Sequence, residues 1–246
     1  MTPAKKNTPS KRISPSHSKP TIILGFPGFG LVGSIVTEFM TEHLKTSKHS
    51  SIILEELQPV IAIHDHKAVE PISVYYNKTH NLYFIHAITP INGLEWKIAD
   101  KVLALAKAVS ASRIICIEGA GLGPDKELTK EQSLFCYCTD EKDAKAMETQ
   151  GVKKLKEGYI IGIIPALLLR ATMPITCIFA PTHSEYPDSK AAASVVELLD
   201  KQLDLQVNSA PLLDMAKRFE DKIRTLMSKS RVVNEPFDKK KLSYVG

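Results

Sequence analysis

Unbroken apolar runs, more than alternating ones, mark the strands of this chain. Residues 21–26, 114–118 and 175–179 are short apolar stretches bounded by Gly- or Pro-containing turns. That is the pattern of strands buried on both faces, and the three are expected to be neighbours in the core of one sheet. Between them the apolar period lengthens. Residues 31–45 place Ile35, Phe39 and Met40 on one side of a helix, and residues 93–110 form a strongly amphipathic one. A short helix is expected over 143–150. Pro165 suits the opening of a helix that carries Leu167 to Leu169, because proline is well placed in a first turn. Asp188 is expected to cap a helix over 189–203, and 211–228 reads as the last helix. Residues 51–54, 60–63 and 135–138 read as further strands, and 71–76 with 82–87 as a hairpin joined through 77–81. Strands alternating with helices predict a three-layer α/β/α fold around a mostly parallel, mixed sheet. The expected organisation is one such domain over 20–228, a disordered basic arm over 1–19 and a flexible tail over 229–246.

Charge changes the picture at the ends only. The net charge is +5, and residues 1–19 supply all of it through Lys5, Lys6, Lys11, Arg12 and Lys19. A body that sums to zero does not suit a broad nucleic-acid groove. No stretch is long and apolar enough for a membrane span, and the N-terminus lacks the apolar core of a secretory signal, so a cytoplasmic location is expected. The four cysteines, Cys116, Cys136, Cys138 and Cys177, are read as reduced and structural. The side chains of Cys136 and Cys138, flanking Tyr137, are expected to face opposite ways.

Two glycine-rich stretches carry the candidate chemistry. Gly28, Gly30 and Gly33 make G-x-G-x-x-G between a predicted strand and helix, with Glu55 and Glu56 a little over 20 residues beyond. This is the local form of a dinucleotide fingerprint. Against it, residues 58–87 show no helical period for the second crossover, and Phe26, Pro27 and Phe29 crowd the turn. The loop is therefore either a ligand loop or a tight strand-to-helix turn that needs small residues. Glu118 ends a strand at the second glycine stretch, and Thr182, His183 and Glu185 end a later one, with Asp188 just beyond. Such a cluster suits general acid–base work, although helix capping alone accounts for Asp188. His64-x-His66 has no third ligand at useful spacing and reads as a polar loop with no metal. No nucleophile elbow is present. Trp96 reads as a packing or interface anchor.

The C-terminus has the chemistry of a docking peptide. Lys239 to Lys241 precede Leu242, Ser243, Tyr244, Val245 and Gly246. A tyrosine is a stiff amphipathic anchor with few rotors to freeze, and the capture of a terminal carboxylate is a recurring mode of peptide recognition.

Four stretches, in this order and spacing, resemble the proteasome assembly chaperone 2 family in its archaeal form. They are Gly25-Phe26-Pro27-Gly28-Phe29-Gly30-Leu31-Val32-Gly33, Glu118-Gly119-Ala120-Gly121, residues 158–169, and Tyr186-Pro187-Asp188-Ser189-Lys190-Ala191-Ala192-Ala193. The resemblance covers about residues 20–228. It implies a phosphorylase-like α/β/α fold, no shared catalytic activity, no cofactor, a homo-oligomer, and chaperone or adaptor work on the 20S proteasome α-ring. It also implies docking through a hydrophobic-Tyr-any tail. Here Leu242, Tyr244, Val245 and Gly246 would make the contact, but Tyr244 stands third from the end instead of penultimate. The alternative is a nucleotide- or phosphate-binding enzyme that uses the Gly28–Gly33 loop with Glu118 and His183.

Overall fold

A computed structural model describes residues 19–64, 66–121, 133–182 and 187–207, with the isolated positions 214, 218 and 225. Its centre is the set of apolar runs. β1 (Thr21–Gly25), β6 (Leu82–Ala87), β7 (Arg113–Gly121) and β10 (Ile175–Thr182) lie side by side in the order β6-β1-β7-β10, all parallel. β5 (Ile72–Asn77) and β2 (Ser47–Ser51) extend one edge antiparallel, and β8 (Phe135–Cys138) with β9 (Lys153–Lys154) extend the other. The resulting mixed sheet has eight strands.

The unbroken apolar runs are needed because both faces are covered. Ile23, Ile115, Ile117 and Ile178 point into the layer held by α1 (Val32–His43) and α5 (Ser189–Leu203). Ile22, Leu24, Ile114, Cys116 and Cys177 point into the opposite layer, under α2 (Glu95–Ala108) and α4 (Ile163–Arg170). Successive side chains of one strand thus enter two separate cores. Full burial of each such side chain is worth about 1.5–3 kcal/mol. α3 (Glu141–Thr149) covers the β8 edge through Met147, and Asp140 caps it by accepting from the Lys142 and Asp143 backbone N–H groups.

Several sequence expectations need correction. The strand expected over 51–54 does not extend past Ser51. The edge strand is instead the polar Ser47–Ser51, which pairs with β5 and carries a bulge between Lys48 and Ser50. Polar side chains and bulges are how an exposed edge is protected, and they also hide it from an apolar-pattern search. Beyond Ser51 the chain leaves the sheet after the Ile52 N–H bonds to the Ile72 carbonyl at 2.9 Å. The strand expected over 60–63 is β3 (Ala62–His64), which pairs only with β4 (Lys67–Val69) in a two-stranded sheet of its own. His66 lies in the connecting turn at φ 61, and the second strand of the hairpin, β4, was not expected. β7 and β10 continue through their Gly- and Pro-containing ends. Pro181 is tolerated there because β8 stops pairing at Phe179, so no neighbour needs the missing N–H. α4 begins at Ile163, which puts Pro165 in its first turn as expected. Cys136 and Cys138 share a face, since residues i and i+2 of a strand do. Both pack toward the α1/α5 core while Tyr137 is exposed. Their mutual hydrogen bond holds the Cys138 thiol below its ordinary range and pushes Cys136 up.

The expected helix over 211–228, the basic arm and the C-terminal tail lie outside the described residues apart from the three isolated positions. Among the described residues no helix is long and apolar enough to cross a membrane.

Candidate functional site

The two glycine stretches and Asp188 meet at the C-terminal ends of β1, β7 and β10. After β1 the chain makes a 3₁₀ turn over Phe29–Leu31, closed by a 3.0 Å bond from the Leu31 N–H to the Gly28 carbonyl, and enters α1. Gly30 sits in the left-handed region at φ 61, where a side chain is disfavoured. A Cβ there would also lie 2.6 Å from Thr182 Oγ1. The same residues form a latch. The Asp188 N–H donates to the Gly30 carbonyl at 2.8 Å, and Thr182 Oγ1 donates to Asp188 Oδ2 at 2.8 Å. The Ala191 N–H donates to Asp188 Oδ1 at 2.9 Å, the expected N-cap of α5. One carboxylate therefore ties the glycine turn, the end of β10 and the start of α5 together.

The remaining glycines allow backbones to touch. A Cβ on Gly25 would come within 2.0 Å of the Gly33 carbonyl oxygen, and one on Gly119 within 1.9 Å of the Phe29 carbonyl oxygen. α1 is thereby seated directly on β1 and β7. The wider context differs from a dinucleotide-binding half, in which the second strand lies parallel beside the first. Here the next strand in sequence, β2, lies three places from β1 at the antiparallel edge. Glu55 and Glu56 are exposed, and Glu56 pairs with Lys97 at 2.5 Å on the α2 side.

Glu118 is the chemically distinctive group of the crevice. Its Oε1 would lie 3.1 Å from a Cβ on Gly28. Burial pushes its carboxyl up from 4.5 to about 7, because desolvation penalises the charged form. No hydrogen bond to it is made among the described residues. A carboxyl that titrates near neutrality can give or take a proton at physiological pH. Of the sequence-identified cluster, the fold brings Glu118, Thr182 and Asp188 to one end of the sheet beside Gly28, Gly30 and Gly33. His183 and Glu185 lie outside the described residues, as do Leu242, Tyr244, Val245 and Gly246.

Sequence reasoning missed a polar cluster beneath this loop. His86, at the end of β6 and fully buried, has Nδ1 2.9 Å from Thr37 Oγ1 and Nε2 2.8 Å from Glu38 Oε2. The second contact is close without hydrogen-bond alignment. Thr37 Oγ1 in turn reaches the Gly33 carbonyl at 2.9 Å. The available signal was a histidine inside the apolar run 82–87. Trp96 is half-exposed on α2, with the Arg170 guanidinium 4.5 Å from its ring centroid.

The sequence profile of the PAC2 family matches residues 22–227. This chain belongs to the PAC2 family. The structure also resembles solved PAC2-type folds. Pyrococcus furiosus PbaA, described as an archaeal homolog of proteasome-assembly chaperone, is 30% identical with a TM-score of 0.76, over 87% of this chain and 95% of that one. Pyrococcus furiosus PbaB, described as an archaeal proteasome activator, is 22% identical with a TM-score of 0.69, over 87% and 95% of the two chains. A Thermoplasma acidophilum protein of unknown function is 20% identical with a TM-score of 0.80, over 90% and 91%. The eight-stranded sheet covered by helices on both faces is thus the three-layer PAC2 fold.

Proposed function

We propose that this PAC2-family chain is a non-enzymatic chaperone or adaptor of the proteasome that docks on the 20S α-ring through its C-terminal tail. The observation that carries the reading is the family match over residues 22–227. The likeness to PbaA over most of both chains supports it. In this reading Tyr244 is the anchor, Leu242 and Val245 add apolar contact, and Gly246 supplies the terminal carboxylate for a basic pocket residue. Lys239 to Lys241 add charge beside the anchor. A short peptide loses much freedom on ordering, so its affinity rests on a few anchors. The chain acts in the cytoplasm as a homo-oligomer, which multiplies tail contacts on a ring of repeated pockets. Pull-down of purified archaeal 20S particles tests the reading. The full chain is expected to retain them, and the same chain lacking residues 241–246 is expected to lose them. Equal retention by both refutes tail docking.

One observation favours a second reading. Glu118, desolvated and titrating near 7 beside the glycine loop, suits a nucleotide- or phosphate-binding enzyme that uses Gly28, Gly30, Gly33 and Glu118. Calorimetric titration with mononucleotides and inorganic phosphate distinguishes the two readings. Micromolar binding that Glu118→Gln abolishes favours the enzyme.

A further inference from the structure

Two zones of the described surface carry large apolar side chains that the other described residues leave uncovered. The first is an arm. After β2 the chain runs through residues 52–61 and turns back as the β3–β4 hairpin, which pairs with no strand of the main sheet. Ile53, Ile61 and Ile63 are 72%, 59% and 71% exposed. Residues 52–61, without 56, enclose with Glu70 and Pro71 an apolar groove of about 440 Å³. A lone two-stranded hairpin is marginal in water, so this arm gains most from a covering partner.

The second zone is the loop before α4. Ile160 packs against the α2/α4 core and holds its neighbours outward, leaving Tyr159 fully exposed and Ile161 72% exposed. Gly162 then turns the chain into α4 at φ 92 and ψ −146, a conformation essentially reserved for glycine. Tyr159, wholly in solvent, does not fill its own chain's groove.

We propose that the groove of one copy receives Tyr159 and Ile161 of a second copy, in a head-to-tail contact. The charges fit this occupant. The charged residues of the groove lining are Glu55 and Glu70, with no basic side chain among them. The segment leading to Tyr159 carries Lys153, Lys154 and Lys156 against Glu157. Glu70 and Lys154 already pair within the chain, with Lys48 and Glu148, which leaves Glu55 to meet Lys153 and Lys156 across the contact. The size fits as well, since about 440 Å³ is within the range of cavities that bury small-molecule-sized groups, roughly 300–1,000 Å³. Because the two surfaces differ, the contact is heterologous and repeats from copy to copy. It deepens the self-assembly reading given above, on which it rests.

The test is the mass in solution, by light scattering at tens of micromolar, of the full chain, of Tyr159→Asp and of Ile53→Asp. Both positions are exposed, and an unchanged melting temperature verifies the fold. Ile161→Asp and Ile61→Asp probe the same two surfaces and must agree with them. The full chain is expected to assemble and each variant to be monomeric. A mixture of Tyr159→Asp with Ile53→Asp is expected to form a one-to-one dimer, since one intact groove then meets one intact loop. Three results overturn the proposal: either variant keeping the full chain's mass, no dimer on mixing, or a monomeric full chain. The last also removes the self-assembly reading, whereas the first two leave it standing.

Discussion

Replacing Glu118 by Gln is expected to make the fold more stable, and by an amount that depends on pH. The carboxyl moves from 4.5 to about 7 on folding through burial alone. At one pKa unit per 1.36 kcal/mol, ionising it in the folded state costs about 3 kcal/mol. The sign follows from linkage. The folded pKa lies above the unfolded one, so between 4.5 and about 7 the folded state holds a proton that the unfolded state has released. Stability of the native chain therefore falls as pH rises through that window, and the cost is fully present above it. Glutamine keeps the shape without the charge. The two proteins should be equally stable near pH 4, diverge between pH 5 and 7, and differ by about 3 kcal/mol at pH 8. For a domain of this size that is a rise in melting temperature of roughly 6–12 °C. Urea or thermal unfolding followed by circular dichroism at pH 4 to 8 reads the difference. A constant difference across the series, or a less stable Glu118→Gln protein at pH 8, refutes the assignment of Glu118 as a desolvated carboxyl with no hydrogen-bond partner among the described residues.

Other predictions concern the same end of the sheet. Gly30→Ala combines a left-handed backbone with a Cβ 2.6 Å from Thr182 Oγ1 and should cost about 2 kcal/mol or more; an unchanged urea midpoint contradicts this. Asp188→Ala removes the cap of α5 and the partner of Thr182 and should cost about 1–2 kcal/mol. Asp188→Asn, which keeps a capping oxygen, should recover most of that loss in the same assay. Titration with NAD(H) and NADP(H) is expected to show no micromolar binding, because β2 is at the far antiparallel edge instead of beside β1; tight binding lost in Gly30→Val contradicts this.

How much of the fold was legible depended on which forces left a mark in the sequence. The strands around Ile22, Ile114 and Ile175 were readable because burial on two faces demands continuous apolar residues. The α5 cap was readable because Pro187-Asp188 has a local physical meaning. β2 was not readable, because an edge strand of Ser, Lys and His is held by backbone hydrogen bonds and protected by polarity. The β3–β4 hairpin was half legible: the strand near residue 62 and a polar loop at His64–His66 were expected, but the short return strand Lys67–Val69 was not. In the crevice, the glycines and Glu118 were identifiable by their place after strands. The latch through Asp188 was not, because Gly30, Thr182 and Asp188 are brought together only by the order of β1, β7 and β10. The Thr37–His86–Glu38 cluster was missed for the same reason, since β6 sits beside β1 through a parallel pairing that no local pattern encodes.

The central claim, a proteasome partner engaged through the C-terminal tail, is tested most directly by the affinity of immobilised archaeal 20S particles for the full chain and for Tyr244→Ala, measured by biolayer interferometry. A hot-spot tyrosine typically contributes ~2 kcal/mol or more, roughly thirtyfold in affinity. Tyr244→Ala is expected to bind at least tenfold more weakly with an unchanged melting temperature, and the chain without Gly246, which makes Tyr244 penultimate, is expected to bind as well as or better than the full chain. Equal affinity of the full chain and Tyr244→Ala contradicts the account.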